Sequence, residues 1–210
     1  MGNQEMKTSL RNDQISALCR KAAAQGAVLL KNEDAVLPLS SNDRIAIFGR
    51  CQKEYYRSGT GSGGAVNVRY TTNLLDGFRD AGVLVNEELA ACYEKWIAAH
   101  PFENGGGGWA CEPWCQQEMP VSQELAAEAA AASNKAIVVI GRTAGEDKDN
   151  VAGEGSYYLT RTETEMLGCV CSCFKDVIVV LNVANIIDMG LVQDSPQIKA
   201  VVYAWQGGIE

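Results

Sequence analysis

The sequence predicts an α/β fold, a three-layer α/β/α sandwich built on a mainly parallel, flavodoxin-like sheet of about five or six strands. Short apolar runs alternate with helix-like segments along the chain. These runs are almost continuously apolar, as parallel strands are when helices cover both faces of a sheet. A chain of 210 residues, of which 47% are hydrophobic, is long enough to bury a sizeable core. We therefore expect residues 1–210 to form a single domain, with residues 1–12 as a polar N-terminal tail.

The first half of the chain contains one clear strand and three helix-like segments. Residues 14–32 have apolar side chains at helical spacing and end in a short apolar run. Residues 43–50, DRIAIFGR, have the short apolar run and final glycine of a buried parallel strand. Residues 71–82 predict a helix closed by Gly82, and residues 86–100 predict another helix.

Residues 101–120, the tryptophan loop, contain four consecutive glycines together with Trp109 and Trp114. Such a glycine run predicts a loop, because glycine loses more conformational freedom on folding than any other residue. Aromatic side chains on a loop can form a flat platform for a sugar ring or a partner surface. They can equally form a hydrophobic plug within the loop, and the sequence leaves both interpretations open.

The second half of the chain alternates between helix and strand. Ser122 is expected to cap a helix over residues 122–135, which leads into the strand AIVVIGR at 136–142. The later predicted elements are a helix at 160–176, a strand at 177–185, a short helix or turn at 191–197 and a strand at 198–205. In open parallel sheets, ligands bind in the loops at the carboxyl ends of the strands. We therefore expect functional groups in the loops that follow these strands.

Charge and composition exclude several classes of function. The net charge is −8, and no run of lysine and arginine is longer than two residues. Nucleic acids and anionic membranes attract basic patches, so neither is an expected partner. No apolar run approaches the roughly 20 residues that a membrane-spanning helix needs. The N-terminus lacks the apolar core of a secretion signal, so we expect a cytoplasmic protein.

Cysteine and histidine do not form a recognisable metal motif. The chain has eight cysteines but one histidine, and it lacks the two paired Cys-x-x-Cys knuckles that are typical of a zinc site. A domain of this size does not need disulfides for stability, so we expect reduced thiols. We expect neither a metal nor a cofactor.

Residues 55–70, the glycine loop, contain the sequence YYRSGTGSGGAVNVRY. Gly59, Gly61 and Gly64 match the spacing of a dinucleotide fingerprint, but the strand-like AVNVRY follows instead of a helix. We favour close approach of this backbone to a ligand or a neighbouring domain, because glycine presents no side chain. A flexible connection and nucleotide binding stay open as alternatives.

Residues 143–159, the acidic loop, follow the predicted strand at 136–142. They contain Glu146, Asp147, Asp149 and Glu154 within nine positions. The spacing does not match a calcium-binding loop. Acidic loops are commonly just solvated, and we expect at least two of these acids to face solvent. The alternative is that one of them acts on a substrate.

Four motifs, in matching order, resemble the non-barrel domain of glycoside hydrolase family 3, the β-glucosidase and β-xylosidase family. They are AAAQGAVLLKNEDAVLPL at 22–39, RSGTGSGGAV in the glycine loop, the R-x-x-G-E of VVIGRTAGED and YAWQGGIE at the end. The resemblance implies an α/β sandwich beside a (β/α)8 barrel, with the active site between them. It further implies an aspartate nucleophile on the barrel and a general acid/base glutamate on the sandwich, which matches Glu146 here.

Further expectations follow from this resemblance. Arg57, Ser58, Ser62 and Asp149 are candidate substrate-binding residues, and Glu154 is the alternative acid/base. The substrate would be a β-linked glucoside or a related oligosaccharide, and the partner would be the barrel of the same parent protein. The signature begins close to Met1, so we expect the domain to precede the barrel.

The chain ends at Glu210, inside the closing motif. We therefore expect a fragment with a truncated C-terminal end that is inactive as a glycosidase, and association into a homo-oligomer is a further possibility. The alternative function is a non-catalytic, flavodoxin-like module that binds a nucleotide or a small anion.

Overall fold

The computed structural model describes residues 2–57 and 70–208, and for residues 2–12 it describes the backbone alone. Within these residues, six strands form one sheet in the order β1-β6-β5-β4-β2-β3. The strands are β1 Val28–Asn32, β2 Arg44–Phe48, β3 Leu84–Val85, β4 Lys135–Arg142, β5 Val177–Val183 and β6 Ile198–Tyr203. All neighbouring pairs are parallel except β1, which pairs antiparallel with β6. The predicted α/β sandwich is confirmed.

Helices account for the other elements that the sequence predicts. They are α1 Gly2–Gly26, α2 Leu74–Asp80, α3 Glu87–Ala99, α4 Gln123–Ala132, α5 Arg161–Cys173 and α6 Gly190–Asp194. α1 begins within the stretch predicted as a polar tail, and the apolar run after it forms the separate strand β1. None of the described helices is both long enough and apolar enough to cross a membrane.

Both faces of the sheet are covered, because alternate residues of the central strands enter two separate cores. On one face, Phe48, Val138 and Val179 pack with Met166 and Leu167 of α5. On the other face, Ile47, Val139, Ile178 and Val180 pack with Leu75 of α2 and with Val36 and Val85. This double burial explains why the central strands are almost continuously apolar in sequence.

Capping side chains fix the starts of the helices that flank the site. The hydroxyl of Ser122 accepts a hydrogen bond from the Leu125 N–H at 3.2 Å, which confirms Ser122 as the cap of α4. Thr160 and Glu163 form a reciprocal capping box at the start of α5. At the end of α2, Gly82 adopts a φ of 73°, where glycine is tolerated far better than other residues.

Candidate functional site

The candidate site lies at the carboxyl ends of four adjacent strands. β2, β4, β5 and β6 are parallel neighbours, so the loops that follow them meet at one edge of the sheet. The glycine loop follows β2, and the acidic loop follows β4. This is the edge at which open parallel sheets bind their ligands.

Glu146 lies at the tip of a tight turn four residues beyond Arg142, the last residue of β4. The turn spans residues 145–148, the Glu146 turn, and it is closed by a hydrogen bond of 3.1 Å from the Lys148 N–H to the Gly145 carbonyl. Asp147 has a φ of 60°, the positive value that the third position of a type II turn requires. The Glu146 side chain is exposed at this edge.

Arg142, the arginine of the R-x-x-G-E motif, holds the acidic loop through hydrogen bonds from its buried side chain. Its side chain is 1% exposed, and all five of its N–H groups donate hydrogen bonds. The acceptors are the carbonyls of Gly141, Ser156 and Tyr158 and both carboxylate oxygens of Glu163. Burial alone would lower the pKa of Arg142, but the Glu163 carboxylate raises it overall, so the guanidinium stays charged. A buried charge with every donor satisfied holds the loop ends in place.

The tryptophan loop packs against the acidic loop on both sides of Glu146. The Trp109 Nε1–H donates to Asp147 Oδ2 at 2.9 Å, and the Trp114 Nε1–H donates to the Asp149 carbonyl at 3.1 Å. The Lys148 ammonium lies 4.4 Å from the centre of the Trp114 ring. Before the turn, the Thr143 N–H donates to the Trp114 carbonyl at 2.8 Å. Both tryptophans therefore bind the neighbouring loop through their indole N–H groups.

A cleft of about 420 Å³ opens at the same edge. Arg57 and Thr143 both line it, so the cleft joins the start of the glycine loop to the start of the acidic loop. Tyr56 and Phe102, which contact edge to face with ring centres 6.0 Å apart, form an aromatic part of the lining. The Thr143 hydroxyl donates to Glu112, another lining residue, at 2.8 Å. The lining thus combines aromatic rings with hydroxyl and carboxyl groups.

Asn182, the penultimate residue of β5, lies toward this edge and joins two of the sequence motifs. Its side chain is fully buried and accepts from the Tyr56 N–H at 2.6 Å. Its amide N–H groups donate to the carbonyls of Tyr56 at 3.0 Å and Trp205 at 2.8 Å. The Gly207 N–H also donates to the Tyr56 carbonyl. The YAWQGG segment and the start of the glycine loop therefore meet over the end of β5.

Glu118 is a further carboxyl group near this edge, and it was not predicted from the sequence. It is 8% exposed, and its carboxylate accepts hydrogen bonds from the backbone N–H groups of Arg50 and Met119. Burial raises the pKa of Glu118 to about 7, against the lowering effect of these two hydrogen bonds. This side chain braces the turn after β2 and is not exposed at the edge.

The predicted site residues fall into three groups. Glu146 and Asp149 lie exposed on the acidic loop, with the Asp149 backbone held by Trp114, and Arg57 lies exposed at the cleft. Ser58 and Ser62 lie outside the described residues. Glu154 is exposed farther along the same loop. Their roles in binding and catalysis stay predictions.

The side chains that organise this edge were not predicted from sequence. Arg142 and Asn182 sit at strand ends, and a polar residue that closes an apolar run is the signal that could have identified them. The partnership of Trp109 with Asp147 has no local signal, because 38 residues separate them. In the part of the chain that the structure describes, no group of three or more His, Cys, Asp or Glu side chains is placed to hold a metal ion.

Comparison with known proteins places this geometry in a family. Residues 27–210 match the family model of the glycosyl hydrolase family 3 C-terminal domain. The β-glucosidase of Ruminococcus albus is 49% identical over 187 residues, which cover 89% of this chain and 19% of that protein. The crystal structure of a β-glucosidase from Paenibacillus barengoltzii is similar with a TM-score of 0.89 and 58% identity, over 91% of this chain and 21% of that one.

A more distant structure agrees with this assignment. β-Glucosidase 3B of Thermotoga neapolitana superposes with a TM-score of 0.78 and 33% identity, over 90% of this chain and 26% of that one. The chain thus spans about a fifth to a quarter of the length of these relatives. The resemblance inferred from the four sequence motifs is confirmed. The chain belongs to glycosyl hydrolase family 3, of which it forms the C-terminal-type α/β sandwich domain.

Proposed function

We propose that this chain is the accessory α/β sandwich domain of a retaining β-glucosidase-like enzyme, and that Glu146 is its general acid/base. The observation that carries the proposal is the position of Glu146, exposed at the tip of a braced turn on the ligand-binding edge of the sheet. The relatives that match the chain over most of its length are named β-glucosidases. A β-linked glucoside or a related oligosaccharide is therefore the proposed substrate.

In the proposed mechanism, the active site forms between this edge and a (β/α)8 barrel of the same parent protein. A barrel aspartate attacks the anomeric carbon while Glu146 donates its proton to the departing glycosidic oxygen. Glu146, now a carboxylate, then takes a proton from the water that displaces the aspartate. Retention of configuration requires the two carboxyl groups to stand about 5–5.5 Å apart, so the barrel must close over the Glu146 turn.

Arg57 and Asp149 are proposed to contact the substrate at the rim of this closed site, together with Ser58 and Ser62. Arg57 lines the cleft, and Asp149 follows the Glu146 turn directly. The isolated 210-residue chain is proposed to be inactive, because the nucleophile is supplied by the barrel. Purified chain should release no nitrophenol from an aryl β-glucoside above the buffer rate, and turnover by the chain alone would contradict this part of the proposal.

Substitution of Glu146 in the complete enzyme tests its role. Glu146→Ala should lower kcat/KM for glucosides with poor leaving groups by about 10²–10⁴, the usual contribution of a general acid. A 2,4-dinitrophenyl glucoside, whose leaving group needs no proton, should lose much less. Azide should restore turnover by attacking the glycosyl-enzyme at the anomeric carbon, releasing the aspartate and forming the β-glucosyl azide.

Glu154→Ala is the matched control, because Glu154 is another exposed glutamate of the same loop. It should retain activity on both classes of substrate and should form no glucosyl azide. If Glu154→Ala instead shows the loss and the azide product while Glu146→Ala does not, the acid/base role belongs to Glu154. If neither substitution has an effect, the proposed role of this loop is wrong.

A further inference from the structure

Residues 109–114 of the tryptophan loop, the indole clamp, contact the acidic loop on both sides of Glu146. On the side before the turn, the clamp holds the Thr143 backbone and hydroxyl. After Glu146, the clamp holds Asp147, Lys148 and the Asp149 carbonyl. Residue 146 itself lies between these two sets of contacts. The clamp therefore fixes the segment that presents Glu146 without covering it.

Among the hydrogen bonds of the clamp, the one closest in sequence to Glu146 runs from the Trp109 Nε1–H to Asp147 Oδ2, at 2.9 Å. Asp147 is next to Glu146 in the chain and holds a φ of 60°, which residues other than glycine adopt at a conformational disadvantage. Such a conformation persists only when surrounding contacts fix it. Trp109 is 55% exposed, so its ring is not there to fill the core. Its indole N–H supplies one of the contacts that fix Asp147.

The rest of the clamp supports this contact through Lys148, the next residue of the turn. The Lys148 ammonium donates to the Ala110 carbonyl at 3.2 Å and also lies over the Trp114 ring. The Cys111 thiol contacts the Trp109 carbonyl at 3.4 Å. Added Cβ atoms at Gly105 and Gly108 would stand 2.7 Å and 2.8 Å from Cys111 side-chain atoms, so the glycine run folds closely around this cysteine. The glycines thereby give the clamp its compact shape.

We propose that Trp109 is a positioning residue for the general acid/base, acting through Asp147 to fix the orientation of Glu146. This inference rests on the proposed function of Glu146. In this role Trp109 aligns the group that transfers the proton, and it does not stack on the sugar. General acid catalysis depends steeply on alignment with the departing oxygen, and a misplacement of about 1 Å can cost about 10²-fold in rate.

The structural part of the proposal can be tested on the 210-residue chain. Trp109→Phe keeps an aromatic ring but removes the N–H that Asp147 accepts. The amide of Lys148, which closes the Glu146 turn, should then exchange its hydrogen at least about fivefold faster in NMR experiments. Trp96→Phe is the matched control, because Trp96 Nε1 has no hydrogen-bond partner among the described residues. Unchanged exchange at Lys148 in Trp109→Phe would overturn the proposal.

The functional part is tested by kinetics in the complete enzyme. Trp109→Phe should lower kcat/KM for alkyl glucosides by about tenfold or more, with little change in KM, and should leave the 2,4-dinitrophenyl glucoside nearly unaffected. Asp147→Asn, which keeps an acceptor oxygen and tolerates a positive φ, should stay close to wild type. Asp147→Ala should behave like Trp109→Phe. A defect in folding or barrel docking would instead lower kcat/KM equally for both substrates.

Two outcomes separate this inference from the proposed function. If the loss of kcat/KM depends on the leaving group in Glu146→Gln but not in Trp109→Phe, Trp109 is not a positioning residue, although Glu146 remains the acid. If the loss of kcat/KM in Glu146→Gln is the same for both leaving groups, the proposed function itself fails. A rise in KM for both substrates in Trp109→Phe would assign Trp109 to sugar binding and would also overturn the inference.

Discussion

Arg142 and Glu163 form a bidentate ion pair inside the core, with both N–O distances at 2.7 Å. The side chains are 1% and 6% exposed. The same Glu163 carboxylate accepts the Thr160 N–H at 2.7 Å, so it also closes the start of α5. The pair joins the end of β4 to the start of α5. The acidic loop between them is therefore fixed at its two ends while its middle stays exposed.

Breaking this pair should strongly destabilise the domain. Arg142→Met leaves the Glu163 carboxylate buried without its partner, so the free energy of unfolding should fall by about 3–5 kcal/mol. Arg142→Met/Glu163→Gln should cost less than the sum of the two single changes, because it leaves no buried charge unpaired. Denaturant unfolding of the four proteins measures both effects.

Arg161→Gln is the control for the loss of an ion pair as such. Arg161 pairs with Glu165 on the surface of α5, where the side chains are 85% and 57% exposed. Exposed pairs contribute little, so this change should lie within about 0.5 kcal/mol of wild type. A loss in Arg142→Met no larger than that in Arg161→Gln would show that the buried pair does not hold the loop.

Gly49, directly after β2, should not tolerate a side chain. It has a φ of 97°, and an added Cβ would stand 2.2 Å from the Val139 carbonyl oxygen of the adjacent strand. Because that obstacle is sheet backbone, it cannot move aside cheaply. Gly49→Ala should lower the free energy of unfolding by at least about 2 kcal/mol, measured by denaturant unfolding.

Gly77→Ala is the matched control for Gly49→Ala. Gly77 lies inside α2, where an added Cβ meets nothing within 4 Å. Alanine there should stabilise the chain by about 0.5–1 kcal/mol, because it reduces the conformational freedom of the unfolded state. If both alanine variants shift stability in the same direction, the steric argument for Gly49 is wrong.

Asn182 should be essential for joining the two motifs that it bridges. Asn182→Ala leaves the Tyr56 N–H and the carbonyls of Tyr56 and Trp205 without that partner, so we expect a loss of at least about 2 kcal/mol in the free energy of unfolding. Hydrogen exchange of the Gly207 amide should also accelerate, because Gly207 donates to the same Tyr56 carbonyl.

The control for Asn182→Ala is Asn150→Ala. The Asn150 amide donates one hydrogen bond of 2.8 Å to the Ile186 carbonyl on the exposed surface. Its removal should change the free energy of unfolding by about 0.5 kcal/mol and should leave Gly207 exchange unaltered. Equal losses in the two variants would contradict the bridging role of Asn182.

The parts of the fold that are buried on both faces were predictable from the sequence. β2, β4, β5 and β6 appear as continuous apolar runs because two cores enclose them. β1 was not predicted as a strand, since it is an edge strand. Its side chains are mostly exposed, so buried and exposed positions do not alternate along it. β3 was not predicted because a strand of two residues has no pattern. The capping box of Thr160 and Glu163 was readable, since it follows the T-x-x-E signature.

The candidate site was predictable in position but not in its internal contacts. The position of Glu146 follows from the strand before it, because the strand end defines the edge. The contacts that hold the edge together join residues far apart in sequence, 38 positions for Trp109 and Asp147 and 126 for Tyr56 and Asn182. Local propensity and spacing contain no information about such pairs. They become visible only when the sheet order is known.

Glu118 should make the stability of the domain depend on pH near neutrality. Burial raises the pKa of Glu118 to about 7 in the folded chain, with a further increase from the Glu163 carboxylate, against hydrogen bonds and the Arg50 charge that lower it. In the unfolded chain the group titrates near 4.5. The folded state therefore binds more protons than the unfolded state between these values, so the free energy of unfolding should fall as pH rises from about 4.5 to 7.

Glu118→Gln removes this titration but keeps an oxygen that can accept the Arg50 and Met119 N–H groups, since Oε1 reaches both at 3.1 Å and 2.7 Å. The variant should thus show a shallower fall in stability across this pH range, by about 1.4 kcal/mol for each unit by which the folded pKa exceeds the unfolded one. Glu128→Gln, at an exposed position of α4, controls for the loss of a carboxyl group as such. Denaturant unfolding at half-unit pH steps compares the three proteins. If Glu118→Gln and wild type keep parallel stability curves from pH 5 to 7, Glu118 is ionised in the folded chain throughout that range, and its burial does not control the pH dependence.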